Sequence, residues 1–118
     1  MKNQRFYHRL GFAIHGIRSA LNTEASFRQQ CVAALVVVAV LAWRQPPPLW
    51  WALLLAMCAM VLAAELFNSA LEAALDHLHP ELHPAVGIAK DCAAGAVLLL
   101  SVASVGVFVA FLFDTFSH

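Results

Sequence analysis

The sequence predicts an all-α membrane protein. One amphipathic surface helix covers 4–23, and transmembrane helices follow over 27–44, 49–77 and 87–113, all within a single domain, 1–118. Three observations predict this. Hydrophobic residues make up 62% of the 118 and charged residues 12%, against about 45–50% and about 25% in soluble domains. Three apolar runs, centred on "VAALVVVAVLAW", "WALLLAMCAMVL" and "AVLLLSVASVGVFVAFLF", are separated by proline-bearing breaks. The N-terminal segment instead has apolar residues at helical spacing with arginines between them.

The segment "RFYHRLGFAIHGIRSALNTE" repeats Phe6, Leu10, Ala13, Ile14, Ile17 and Leu21 on one stripe, with Arg5, Arg9 and Arg18 off it. That pattern fits a helix lying on a membrane with its arginines toward anionic headgroups, or packed on the protein's own spans. In the next segment the apolar core, Cys31 to Trp43, is short for a hydrocarbon layer of about 30 Å. Gln29 and Gln30 must therefore lie near its inner boundary. "QPPP" ends that helix, because prolines remove donors and disfavour helix before them, and 44–48 reads as a tight turn. Trp50 and Trp51 mark an interface, and the helix they begin continues without a breaker through Asp76. Cys92 to Phe113 is long enough to span alone, with Gly95, Ala96, Ser101, Ser104 and Gly106 as small contact faces.

Lys2, Arg5, Arg9, Arg18 and Arg28 precede the first span, Lys90 begins the third, and only Arg44 lies at the opposite end. The positive-inside rule places the N-terminus and the 77–90 loop in the cytoplasm. The formal net charge is zero, so no nucleic-acid partner is expected. Cys31, Cys58 and Cys92 are far apart in apolar stretches and read as small buried hydrophobes without a disulfide. No cleavable signal is expected, since the N-terminus is polar and amphipathic.

Against this apolar background one cluster stands out. Glu65, Asn68, Glu72 and Asp76 are spaced by 3, 4 and 4, which puts them on one stripe of the second span, with Ser69 beside it. An ionised carboxylate at membrane depth costs a few kcal/mol or more unless it is paired, hydrated or bound to a cation. "AKDC" brings Lys90 and Asp91 to the same depth, and Glu24 lies at the foot of the first span. Carboxylates and a lysine from all three spans thus gather at the inner interface. Hard oxygens suit magnesium and a lysine suits a phosphate, the combination a nucleoside triphosphate needs. The deeper Glu65 is placed to take a proton from a lipid hydroxyl. Taken singly, each residue has a structural explanation: helix contact for Glu65, interfacial charge for Glu72 and Asp76, snorkelling for Lys90, surface charge for Glu24. A transition-metal site through His77, His79 and His83 is disfavoured by Pro80 and Pro84. His8 and His15 read as surface residues, and no Gly-rich phosphate loop is present.

The stretches "AELFNSALEAALD", "HPELHP" and "AKDCAAGAVLL", extended by "FAIHGIRSALNTEASFRQQ", resemble the small bacterial membrane lipid kinases, the diacylglycerol kinase and undecaprenol kinase family. The resemblance covers nearly the whole chain. It implies a homotrimer in the bacterial inner membrane, with sites shared between subunits. It also implies transfer of a phosphoryl group from ATP, with Mg²⁺, to a lipid alcohol such as diacylglycerol or undecaprenol. By position, Glu65 matches the general base, Glu24 and Glu72 the metal-binding carboxylates, and Asn68 an active-site amide. Lys90 and Asp91 match nucleotide-binding positions, as do Glu81 and His83 in the loop and Arg5 and Phe12 on the surface helix. Ser26, Phe27, Arg28, Gln29 and Gln30 match the border of the lipid entrance. Thr23, Gln30 and Phe12 depart from the Asn, Glu and Tyr of the familiar diacylglycerol kinases, and "PELHPAVGIAKDCAAGAV" is more similar to the undecaprenol kinases.

Two other classes compete. A proton- or cation-translocating protein also uses intramembrane carboxylates, but here they cluster at one end of the spans. A non-catalytic assembly subunit would need none of the cluster.

Overall fold

The computed structural model describes residues 5–78 and 84–117. Four helices follow in chain order: α1 (Phe6–Thr23), α2 (Ala25–Arg44), α3 (Pro48–Leu78) and α4 (Pro84–Phe116). Arg5 precedes α1 in extended conformation. A single extended residue, Glu24, separates α1 from α2. Its backbone N–H donates to Ala20 O at 2.8 Å, Thr23 Oγ1 donates to Ser19 O at 2.9 Å, and Arg28 Nη1 reaches back to Leu21 O at 2.8 Å. Ala20 O and Leu21 O are carbonyls that the end of a helix would otherwise leave unpaired, and Ser19 O gains a second donor. Only Ala20 of α1 is buried, and Phe6, Tyr7, Leu10, Phe12, Ile14 and Ile17 are exposed.

The α2–α3 corner follows from its prolines. Gln45 takes the left-handed conformation (φ 47°, ψ 57°), its N–H donating to Leu41 O at 2.8 Å. Its side chain, through Nε2, donates to Ala42 O at the same distance. Pro48 then opens α3, where its missing N–H costs nothing. The same reasoning explains a difference at α4. The sequence pattern predicts a loop through Pro84 and a helix over 87–113, whereas Pro84 is the first helical residue and the helix runs on to Phe116. A proline at the first helical position is already in helical φ, so it starts the element rather than blocking it. Similarly α2 starts at Ala25, two residues before the expected 27, because Glu24 alone makes the corner.

α3 and α4 pack along each other, α2 packs on α3, and α1 makes a smaller contact with α2 and α3. The helices α2, α3 and α4 are each long and apolar enough to cross a membrane. At 31 and 33 residues, α3 and α4 extend roughly 46 and 50 Å, beyond a hydrocarbon layer of about 30 Å. The chain exposes 8397 Å², where a compact soluble monomer of its mass exposes about 6,300 Å². The excess is apolar: Leu35, Leu98, Leu99, Val102, Val105 and Phe113 all face outward. This is a multi-pass membrane protein.

The core lies near the α2–α3 corner. Leu41, Leu54 and Phe111 are fully buried, with Val37, Val40, Trp50, Val107 and Phe108 packed around them. Polar contacts close this end. Trp50 Nε1 donates to Asp114 Oδ2 at 2.8 Å, and Arg44 Nη2 donates to Thr115 O at 3.0 Å. The Arg44 guanidinium also stands 4.1 Å from the Phe116 ring centroid. Such bonds tie the last turn of α4 to both other spans. Phe111→Ala removes the ring at the centre of this core. The loss is packing rather than transfer from water, because lipid is as apolar as the core. The expected destabilisation is about 3 kcal/mol, the lower end for buried aromatic truncations, measured by unfolding in mixed detergent micelles; an unchanged midpoint would place the core elsewhere.

Candidate functional site

Distance along α3 sorts its polar stripe by depth. Measured from Trp50 at the interface, Glu65 lies about 22 Å along the axis, Asn68 about 27 Å, Glu72 about 33 Å and Asp76 about 39 Å. Against a hydrocarbon layer of about 30 Å, Glu65 is inside, Glu72 at the boundary and Asp76 beyond it. The helix therefore carries one acidic line from hydrocarbon to water.

Glu65 is the one buried charged residue among the described residues, at 4% exposure. Its electrostatic neighbours are Glu24, from the α1–α2 corner, and Glu72, two turns further along α3. Because the corner is a single residue whose side chain caps neither helix, the Glu24 carboxylate is left for the site. Asn68 Nδ2 donates to Glu72 Oε1 at 3.3 Å. Its other end, Oδ1, is buried with no hydrogen-bond partner, so the amide orients one carboxylate and keeps an acceptor unused. On α4, Lys90 Nζ donates to Asp76 Oδ1 at 2.5 Å, and the charge of Glu72 also bears on it. Glu24, Glu65, Asn68, Glu72, Asp76 and Lys90 thus form one connected polar group drawn from the α1–α2 corner, α3 and α4.

Other residues singled out in the sequence lie differently. Asp91 is exposed beside Lys90. Phe12 is exposed on α1 and Arg5 is exposed just before it, about 18 and 28 Å from Glu24 along the helix direction, and no contact joins them to the polar group among the described residues. Glu81 and His83 lie outside the described residues. Phe27 is 3% exposed, so it is packed inside rather than presented to lipid. Ser26, Arg28 and Gln29 are exposed and Gln30 is half-buried. Gln30 lines a cleft of about 430 Å³ between α2, α3 and α4, together with Ala33, Cys58, Val61, Ser101 and Phe108. Arg28 and Gln29 line a shallower one with Ala25 and Val32. The three cysteines are free. The pairing of Lys90 with Asp76 was not read from the sequence, although Asp76 was placed on the stripe and Lys90 at its depth.

The donor set fits magnesium. Among the described residues no three His, Cys, Asp or Glu side chains are placed to hold a metal by themselves. Magnesium does not need such a cage: it keeps several waters and is held by one or two carboxylates together with substrate phosphates. Glu24 and Glu72 each bear on Glu65 and offer hard oxygen donors, and Glu72 also bears on Lys90, a cation of the kind that suits phosphate.

The fold and this group define a class: a multi-pass membrane protein with an acidic, lysine-bearing site at one membrane boundary. Residues 11–112 match the family model described as prokaryotic diacylglycerol kinase. The chain is 36% identical over 95 residues to a diacylglycerol kinase of Escherichia coli strain K12, covering 80% of this chain and 78% of that protein. It is 33% identical over 93 residues to a diacylglycerol kinase of Pseudomonas aeruginosa, covering 79% and 76%. With one of Helicobacter pylori strain 26695 the identity is 32% over 96 residues, covering 81% and 75%. The chain belongs to the prokaryotic diacylglycerol kinase family, a family of lipid kinases.

Asn68→Asp tests the orienting amide. It replaces the donor to Glu72 with a like charge of the same shape. A hydrogen bond to a charged group is worth about 1.5–3 kcal/mol, so lipid phosphorylation is expected to fall about 10- to 100-fold in a micelle assay, with helix content by circular dichroism unchanged. Wild-type turnover would remove Asn68 from the site.

Proposed function

We propose that the protein transfers the γ-phosphate of ATP, with Mg²⁺, to the hydroxyl of a lipid alcohol at the cytoplasmic face of the bacterial inner membrane. The lipid is diacylglycerol, as the relatives' names indicate, or undecaprenol, as the 80–97 stretch indicates. One observation carries the reading: a buried carboxylate, Glu65, lies on the second span with Glu72 and Glu24 bearing on it and with a lysine bound further along the same stripe. A lipid hydroxyl cannot travel far into water without exposing its tails. The group that accepts its proton must therefore sit inside the membrane boundary, and Glu65 does.

In this reading Glu65 accepts the proton of the lipid hydroxyl as the oxygen attacks. Glu24 and Glu72 hold the magnesium, which neutralises phosphate charge when bound. Asn68 keeps Glu72 oriented and presents its unused acceptor beside it. Lys90 places its ammonium against the transferring phosphate. This is positioning plus electrostatics, the general requirement of phosphoryl transfer. Arg5, Phe12, Asp91, Glu81 and His83 are proposed nucleotide contacts. Because Arg5 and Phe12 lie far along α1 from Glu24, their contribution is best supplied from a neighbouring copy. The need for a neighbouring copy, together with the family resemblance, is the ground for proposing assembly as a homotrimer. Ser26 to Gln30 border the lipid entrance, with Phe27 as packed wall and Gln30 facing the cleft. The basic residues that precede α2 and open α4 support a cytoplasmic N-terminus.

Conduction of protons or cations is the weaker reading. The interiors of α2 between Arg28 and Arg44 and of α4 between Asp91 and Asp114 carry no ionisable side chain except cysteine thiols, whereas a path across the membrane needs polar groups at several depths.

Purified protein in micelles with ATP and magnesium should phosphorylate a lipid alcohol when diacylglycerol, monoacylglycerol and undecaprenol are offered side by side. Chelation of magnesium should stop the reaction and added magnesium restore it. Glu65→Gln should reduce turnover by about 10²- to 10⁴-fold, the range for a positioned base, while sedimentation shows the same assembly size. Full activity in that variant would reject Glu65 as the base.

A further inference from the structure

We propose that Asp76 is a positioning residue: it holds the Lys90 ammonium at the mouth of the site as a stand-in for nucleotide phosphate, and ATP binds by displacing it. This rests on the reading of Lys90 as a phosphate ligand. Lys90 Nζ already donates to a single anionic oxygen, Asp76 Oδ1, at 2.5 Å. The pair bridges α3 and α4 at the end of the acidic line nearest water, one turn beyond Glu72. Glu72 also attracts the ammonium, from the side toward Glu65. Lys90 thus has an anion on either side, and moving from Asp76 toward Glu72 carries it inward, to where a phosphate near Glu72 would lie.

Exposure decides that the pair is replaceable. The two side chains are 36% and 65% exposed, and exposed ion pairs are held weakly because water screens them and two side chains lose freedom. A triphosphate presents several charged oxygens where Asp76 presents one carboxylate, so it outcompetes the resident partner. Asp76 acts on the reaction only through Lys90. It touches neither the base nor the carboxylates proposed for the metal in any described contact.

The test uses the full-length protein in micelles, with saturating diacylglycerol and excess magnesium, for the wild type, Asp76→Asn, Asp76→Glu, Lys90→Met and the Asp76→Asn/Lys90→Met double variant. Steady-state KM and kcat for ATP are measured alongside calorimetric Kd for a non-hydrolysable ATP analogue with magnesium. Removing the competing charge should lower KM and Kd about two- to fivefold in Asp76→Asn, the size expected for an exposed pair, with kcat unchanged. Asp76→Glu keeps the charge and should retain the wild-type constants. In the Lys90→Met background the Asp76→Asn change should shift neither constant. An unchanged or raised KM in Asp76→Asn would overturn the proposal, since a mere staple between α3 and α4 would give that result. So would an equal fall in KM without Lys90, which would mean general repulsion of the nucleotide by Asp76. If Lys90→Met leaves both nucleotide constants at wild-type values, the phosphate-ligand reading itself fails and the role of Asp76 goes with it.

Discussion

Placing a carboxylate in hydrocarbon is costly, and that cost organises this protein. Glu65 is buried on α3 short of the point where the helix leaves the apolar layer, and two more carboxylates bear on it. Like charges in a poorly hydrated region repel each other and are tolerated where a cation, oriented dipoles or a bound proton offsets them. Every local feature at this end serves that need. The one-residue corner frees Glu24 from capping, Asn68 orients Glu72, and α4 delivers a lysine to the mouth. A lipid kinase needs such a place, since its two substrates prefer different solvents and meet only at the boundary between them.

The opposite end solves a different problem. Residues Leu41, Leu54 and Phe111 make the dense part of the core, and Trp50, Asp114, Arg44 and Thr115 close it with bonds between spans. Asp76 lies 26 positions after Trp50 on α3, and Asp114 lies 24 positions after Lys90 on α4. The antiparallel pair therefore meets through polar contacts near both ends, roughly 36–39 Å apart: a bond between spans at the core end and an exposed, exchangeable ion pair at the other. The Trp50–Asp114 bond limits how far α4 can slide along α3, and that axial register determines which carboxylate of the stripe Lys90 meets. Stability is concentrated at one end and chemistry at the other.

Much of the fold was legible because the membrane simplifies the problem. In hydrocarbon every backbone donor must be satisfied within the element, so a long apolar run can only be a helix. The acidic stripe was legible because a helix converts spacings of 3 and 4 into one face. Helix ends were less legible. Pro84 read as a breaker yet opens α4, since a proline can stop a helix or start one depending on which neighbours are helical. Asp114 and Thr115 fell beyond the expected end of the last span, and nothing in "FDTFSH" signals that the helix continues to meet Trp50 and Arg44.

By itself, then, the sequence determined the number of spans, the all-α class and the membership of Glu65, Asn68, Glu72 and Asp76 in one face, because these follow from local periodicity and from the solvent. Which of them faces which partner was decided only in three dimensions. The pairing of Lys90 with Asp76, the approach of Glu24 to Glu65 across the corner, and the burial of Phe27 all depend on how far one rigid helix is shifted and turned against the next. That shift is set by packing at Leu41, Leu54 and Phe111, far along the chain from the charges it aligns.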